Sequence, residues 1–287
     1  MRKVPTFSII TPSYNQKKFI EETIESIWSQ KGNFYIQHIV IDGKSTDKTV
    51  EILKRYERLL KQKRYHINCK GIEFIWKSEK DNGQAEAINK GFKLAKGDIF
   101  AYLNSDDTYE QRAFQRVAEA FNGNNSINLV YGDLWYIDTN TNKIKKVISQ
   151  TYNRKVLLNK GNYISQPTVF WSRHLYKKVG IFNEDLHYTM DYEYWCRASQ
   201  YCNFHYIKAP LANFRLHQNS KTVSLQDKFW KEQRHTSRRN GGKFFSEMAV
   251  RHYLFSAFLY IYKILPANLR RQVRFLVEDK LPVVIPE

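Results

Sequence analysis

Ser8-Ile9-Ile10-Thr11-Pro12-Ser13-Tyr14-Asn15, read together with Ile41-Asp42-Gly43-Lys44-Ser45-Thr46-Asp47, decides the fold class of this chain. In both, a short apolar, β-prone run stops at a polar turn. Helical patterns follow: Phe19, Ile20, Ile24, Ile27 and Trp28 recur at helical spacing after the first, and Ile52, Leu53, Tyr56, Leu59 and Leu60 after the second. Strands are expected at 7–10, 36–41, 72–76, 99–103 and 129–131, so residues 6–131 alternate strand and helix in βαβ units of a parallel sheet. Ser45 or Thr46 is expected to cap the second helix, with Asp47 in its first turn, and Gly97 to end the third. Ligands of such sheets bind beyond the carboxyl ends of the strands.

Past residue 131 the alternation stops. A hairpin is expected from 134–137 through a polar turn at 138–142 to 144–148, then a strand at 167–171, helical stretches at 175–179 and 192–199, and strands at 204–207 and 213–216. From 225 the chain reads as helical and basic. These breaks divide it into 1–222, with halves 1–131 and 132–222, and an extension over 223–287 in which cations such as Arg234, Arg238, Lys263, Arg271 and Arg274 alternate with aromatics such as Phe244, Tyr260 and Phe275.

With 287 residues, 42% hydrophobic, 19 Tyr and 18 Phe, the chain can bury a substantial core and is neither disordered nor fibrous. The excess of 46 Lys+Arg over 28 Asp+Glu predicts an anionic partner: nucleic acid, a nucleotide phosphate or an acidic leaflet. Three cysteines without metal-type spacing argue against a disulfide framework and for a reducing compartment. The apolar run at 7–10 is too brief for a signal peptide, and the run at 253–262 falls well short of a membrane span.

Three strand ends carry the chemistry: the segment from Thr11 to Asn15, the segment from Asp42 to Asp47, and Asn104-Ser105-Asp106-Asp107. Adjacent carboxylates on a polar turn suit a hard divalent cation, and equally suit the N-cap of a helix starting near Tyr109. These segments, with Asp81-Asn82-Gly83-Gln84 through Asn89-Lys90-Gly91 and with Met190-Asp191-Tyr192-Glu193-Tyr194-Trp195, resemble the family 2 glycosyltransferases of the GT-A fold over residues 6–220.

That resemblance implies an α/β GT-A catalytic domain over 1–222 and an inverting transfer of sugar from a nucleotide-diphospho-sugar donor to an acceptor hydroxyl. A UDP-sugar is favoured as donor and a saccharide or lipid-linked saccharide as acceptor. It places Tyr14 and the Thr11-Pro12 backbone beside the nucleotide base and gives Asp42 a hydrogen bond to it. Asp81 falls at base or ribose, and Gln84 at the substrate. The turn occupies the family's DxD-type position, which holds Mn2+ or Mg2+. Because Asn104 replaces its first aspartate, the metal is expected on Asp107, with Asp106 at ribose or sugar. Asp191 matches the catalytic base, with Glu193 an outside candidate. In Phe214-Arg215-Leu216-His217-Gln218-Asn219-Ser220-Lys221-Thr222, the resemblance brings His217 to the metal or diphosphate and basic residues to phosphate oxygens. Gln166 is a candidate for the acceptor pocket.

The basic, aromatic extension suits either an anionic membrane surface or packing on the catalytic domain or a second subunit. The protein is expected in the cytoplasm, peripheral at the inner face of the cell membrane, and the family resemblance implies a setting in bacterial surface-polysaccharide synthesis. Two other readings compete. A sugar-1-phosphate nucleotidyltransferase would want a glycine-rich phosphate loop after the first strand, and 11–15 supplies none. A nucleic-acid-binding protein would be motivated by the charge of +18 alone, with no recognisable motif, so no nucleic acid partner is expected.

Overall fold

The opening run becomes β1 (Thr6–Ser13), central in the sheet and buried on both faces, which is why it reads as almost continuously apolar. A computed structural model describes residues 4–124, 126–217, 227–266 and 269–270. Gln218, Asn219, Ser220, Lys221 and Thr222, the boundary at 222/223, and Arg271, Arg274 and Phe275 lie outside the described residues, as does the side chain of Lys263.

Along the chain, β1 is followed by α1 (Ile20–Trp28), β2 (Tyr35–Asp42), α2 (Thr49–Lys61), β3 (Gly71–Ser78), α3 (Gln84–Leu94) and β4 (Ile99–Tyr102). Next come β5 (Thr108–Tyr109), α4 (Ala113–Gly123), β6 (Leu129–Ile137), β7 (Lys143–Val147), α5 (Arg154–Lys160) and a single 3-10 turn at Gln166–Thr168. β8 (Phe170–Ser172), α6 (Arg173–Val179), α7 (Met190–Ala198), β9 (His205–Arg215), α8 (Asp227–Arg239) and α9 (Glu247–Ile264) complete the order.

The strands form one mixed sheet in the order β3-β2-β1-β4-β8-β6-β9-β5, with β7 paired to β6. β3, β2, β1 and β4 run parallel, as the βαβ pattern requires. β8 then pairs antiparallel with both β4 and β6. Alternation along β1 and β2 sends residues to two cores. Phe7, Ile9, Ile36 and Val40 meet Ile20, Ile24, Ile27 and Trp28 of α1. Ile10, Ile39 and Ile41 meet Ile88 and Phe92 of α3 and join the Trp171, Phe182, Tyr194 and Trp195 cluster. Each large apolar side chain so buried contributes about 1.5–3 kcal/mol.

Several boundaries differ from expectation. Residues 129–131 and 134–137 form one strand, β6, because β6 bends rather than ends at Gly132. A Cβ there would lie 2.6 Å from Leu211 Cγ, and the β6/β9 register shifts on either side of Asp133. The strands expected at 204–207 and 213–216 are likewise joined as β9. Neither Ser45 nor Thr46 caps α2, whose N-cap is Lys48; Asp47 Oδ1 instead accepts the Thr49 amide. α3 ends at Leu94, and the Gly97 amide turns back onto Ser8 Oγ at 2.9 Å. The start of the expected strand at 167–171 is the 3-10 turn.

α8 packs on the main domain rather than standing apart. Ser237 Oγ donates to Leu158 O at 2.6 Å, Arg154 donates to Asn240 O at 2.9 Å, and Glu232 reaches the loop before α7. Among the described residues no helix is long and apolar enough to cross a membrane.

Candidate active site

The sheet topology brings the carboxyl ends of β1, β2, β3 and β4 to one edge. β1 continues through Thr11, Pro12 and Ser13 past Ile10, its last residue paired with β4, so on that side its backbone opens onto the edge. The Thr11 side chain does not: its hydroxyl is bonded to His38 Nε2 at 3.0 Å, while Trp28 Nε1 donates to His38 Nδ1 at 3.0 Å. Full burial drops the His38 pKa to about 3, so the ring is neutral, and Nδ1 as acceptor places its proton on Nε2. At that edge Thr11 therefore presents its backbone rather than its side chain.

Asp42 ends β2 fully buried. It accepts from the Ser45 amide at 2.9 Å, from Ser45 Oγ at 2.5 Å and from Ser78 Oγ at 2.6 Å. Tyr14 is 60% exposed beside it. Gly43 lies between Tyr14 and Asp81: a Cβ there would come within 2.8 Å of Asp81 Oδ2 and 3.4 Å of Tyr14 Cδ2. Burial raises the Asp81 pKa above the ordinary aspartate range, although its Oδ1 accepts the Gly83 amide at 3.0 Å. Tyr14, Asp42 and Asp81 thus form a cluster with one flat ring and two carboxylates. Gln84, the first residue of α3, donates to Asn104 Oδ1 at 2.5 Å and ties this cluster to the turn after β4.

The two carboxylates of that turn differ sharply. Asp107 is 1% exposed; its Oδ1 accepts the Arg215 amide at 3.0 Å, Asn104 Nδ2 approaches its Oδ2 at 3.4 Å, and its carbonyl accepts Thr23 Oγ1. Burial, with Asp106 adding charge repulsion, holds its pKa well above the ordinary aspartate range. Asp106 instead turns Oδ2 toward His217 Nε2 at 2.9 Å. A carboxylate oxygen and an imidazole nitrogen brought together are a mixed donor pair that suits Mn2+ better than the harder Mg2+, whose preferred donors are oxygens. Among the described residues no three His, Cys, Asp or Glu side chains converge, so a cation on this pair would take its other ligands from substrate oxygens and water.

Arg215 departs from the expectation that basic residues of this segment reach phosphate, while Lys221 lies outside the described residues. Its side chain is fully buried, with Cζ 4.7 Å from the Phe19 ring centre. Its guanidinium donates to Asp106 O at 2.8 Å, Asp138 O at 3.0 Å, Thr141 Oγ1 at 3.2 Å and Glu22 Oε2 at 2.6 Å. It therefore clamps the turn to α1 and to the β6–β7 hairpin. A buried arginine is rare unless paired, so sequence reading defaults to an exposed one.

Asp191 lies in the first turn of α7, not at its N-cap, which is Thr189. Its Oδ1 accepts the Tyr192 amide at 2.7 Å, and Oδ2 accepts Asn162 Nδ2 at 3.3 Å. Burial outweighs these bonds and pushes its pKa up to about 6. Asp191 and Asp107 both repel ionisation of the buried Tyr102 phenol, so the two carboxylates approach one residue at the end of β4. Gln166 supports the same point, donating to Tyr102 O at 2.8 Å. A cleft of about 60 Å³, walled by Gln84, Met190, Glu184 and Leu186 among others, lies between α3 and the start of α7.

Glu193 is not available as a base. Both of its carboxylate oxygens bind Arg197, at 2.7 and 2.9 Å, and that guanidinium also holds Val179 O and Ile181 O. Two residues absent from the sequence reading prove important: Asn162, on the Asp191 carboxylate, and Glu232 of α8. Glu232 accepts the backbone amides of His187, Tyr188 and Thr189, at 3.3, 3.0 and 3.1 Å, and so fixes the loop leading into Asp191. Neither carried a signal, because each acts through a partner distant in sequence.

The model of the family described as "Glycosyl transferase family 2" matches residues 8–180. The chain is 28% identical over 218 residues to an uncharacterized glycosyltransferase of Methanocaldococcus jannaschii, covering 74% of this chain and 71% of the relative. Over 115 residues it is 34% identical to the putative teichuronic acid biosynthesis glycosyltransferase TuaG of Bacillus subtilis, covering 40% of this chain and 41% of TuaG. Among solved structures, S. aureus TarS 1–349 in complex with UDP-GlcNAc superposes with a TM-score of 0.64 at 17% identity, covering 98% of this chain and 82% of that one. The mannosyltransferase PcManGT of Pyrobaculum calidifontis, in complex with GDP-Man and Mn2+, gives 0.61 at 14% identity, covering 90% and 72%.

Proposed function

The chain belongs to glycosyl transferase family 2 and shares the GT-A fold, and from that premise we propose that it moves a sugar from a nucleotide-diphospho-sugar, a UDP-sugar first among them, to an acceptor hydroxyl with inversion. The observation that carries the mechanism is Asp191, an aspartate pushed to about 6 whose charge, like that of Asp107 in the turn after β4, is felt at Tyr102. A base of that strength is ionised at neutral pH yet binds a proton more firmly than an ordinary aspartate.

In the proposed reaction the acceptor hydroxyl passes its proton to an Asp191 oxygen as the acceptor oxygen bonds to the anomeric carbon. The bond from that carbon to the diphosphate oxygen breaks on the opposite face, and the electron pair leaves with the nucleoside diphosphate. Tyr14 and Asp42 hold the base of the nucleotide, Asp81 its base or ribose, and Gln84 orients the sugar. The sequence reading put the cation on Asp107; the burial of Asp107 and the 2.9 Å approach of Asp106 to His217 favour Asp106 and His217 as its ligands. Asp107 then shapes the turn. A divalent cation bound there offsets the charge gathering on the departing diphosphate.

The likeness to TuaG supports a place in surface-polysaccharide synthesis, and Phe245, Leu254, Tyr260 and Ile264, all exposed on or beside α9, support contact with a membrane surface. A thermal-shift panel of UDP-, GDP- and dTDP-sugars with and without Mn2+ tests the donor reading. The expected result is a shift with one nucleotide class that needs the metal; no shift with any of them sinks it.

A further inference from the structure

The transfer chemistry leaves one large cavity unused. It lies on α8, measures about 410 Å³ and is lined by Leu186, Lys231, Glu232, Arg234, His235 and Arg238. Three of these residues are fixed cations, while the single carboxylate, Glu232, is already engaged by the 187–189 backbone. Both arginines are held by aromatic faces, with Arg234 Cζ 5.0 Å from the Tyr253 ring centre and Arg238 Cζ 4.0 Å from that of Phe244. Stacking fixes the plane of a guanidinium without using its N–H groups. Nη1 of Arg234 and Nε and Nη2 of Arg238 have no hydrogen-bond partner among the described residues, although almost no solvent reaches them.

Charged N–H groups kept dry and unpaired are unfavourable. With three cations on its lining and its one carboxylate already engaged, the cavity favours an anion, and a phosphate oxyanion suits the planar forks of two arginines once their N–H groups turn toward it. Leu186 lines both this cavity and the cleft formed by Gln84 and Met190, so the basic space adjoins the cleft at the start of α7, where Met190 precedes Asp191. The donor diphosphate is assigned to a different place, the Asp106–His217 pair.

We propose that the α8 cavity binds the phosphate or diphosphate group of a phosphate-bearing acceptor, a proposal that rests on the transferase reading above. Bound there, the anion anchors one end of the acceptor on α8 while its hydroxyl end reaches Asp191 through the adjoining cleft.

Titration calorimetry of the full chain with inorganic pyrophosphate in metal-free buffer tests it. The expected result is saturable binding that weakens about tenfold or more in Arg234→Gln/Arg238→Gln and persists in Asp106→Asn. Lys231→Glu, which reverses a charge on the cavity wall, should weaken binding about threefold or more. Equal affinity in the wild type and in all of these variants overturns the proposal. Mn2+-dependent UDP binding is expected to survive in the double variant; its absence from the wild type would instead count against the transferase reading while leaving the anion site intact. Flotation with phosphatidylglycerol and phosphatidylcholine vesicles separates the sources. Arginine-dependent capture by the anionic vesicles without pyrophosphate binding would assign the cavity to a lipid headgroup and overturn the acceptor role.

Discussion

Asp191→Asn should make the protein more stable while abolishing transfer. The aspartate is raised from 3.8 to about 6, chiefly by burial. At about 1.4 kcal/mol per pH unit, this gap means that holding the charge in the folded state costs about 3 kcal/mol. Solvent reaches part of the side chain, which trims the figure to about 1–3 kcal/mol. Asparagine offers a carbonyl oxygen to the Tyr192 amide or to Asn162 and carries no charge. The sign follows from proton binding: between about pH 4 and pH 6 the folded chain holds a proton that the unfolded chain has lost, so stability falls as pH rises through that window. The gain in Asp191→Asn is therefore full above about pH 6 and vanishes below about pH 4. At about 2 °C per kcal/mol for a chain of this size, the thermal midpoint should rise by about 2–6 °C at about pH 8. Thermal unfolding at both ends of the range, beside a donor-transfer assay, reads both effects. A variant no more stable than the wild type at the higher pH, or one that transfers sugar normally, refutes the reasoning.

The two aspartates of the β4 turn should separate by readout. Asp106→Ala should weaken Mn2+-dependent UDP binding about tenfold or more with little change in unfolding midpoint, whereas Asp107→Ala should destabilise by about 1–3 kcal/mol by stranding the Arg215 amide; the opposite pattern in calorimetry and urea unfolding would return the cation to Asp107. Glu232→Ala removes the acceptor of three loop amides and should lower stability by about 2 kcal/mol and kcat more than donor KM, as steady-state kinetics and urea unfolding would reveal. Gly43→Ala forces a methyl to within 2.8 Å of Asp81 Oδ2 and should weaken UDP binding about tenfold with the circular dichroism spectrum unchanged; unaltered affinity would separate Asp81 from the nucleotide.

The parallel half was legible because its signals are local. Phe7 to Ile10 and Ile36 to Ile41 read as short β-prone runs, the stripes of α1 and α2 repeat at helical spacing, and a polar turn marks each strand end. The second half was legible only in pieces. Gly132 interrupts the pattern of β6 because β9 crosses too close for a Cβ, and Pro210 interrupts β9, so each strand read as two. At the candidate site the residue types were visible but their pairings were not. Asp106 and Asp107 are neighbours in sequence, and partners more than a hundred residues away give their carboxylates different environments, the Arg215 amide on Asp107 and the His217 ring on Asp106. Glu232 is a further case, a carboxylate in a basic helix whose partners are backbone amides of a distant loop.

A crystal grown with Mn2+ and the nucleotide-sugar that the thermal-shift panel selects, measured at the manganese edge, offers the most direct measurement. The expected map has an anomalous peak bridging Asp106 Oδ2, His217 Nε2 and the diphosphate, with the Asp191 carboxylate facing the anomeric carbon on the side opposite the leaving oxygen. A peak away from both ligands, or a sugar whose reactive face is turned from Asp191, would contradict it.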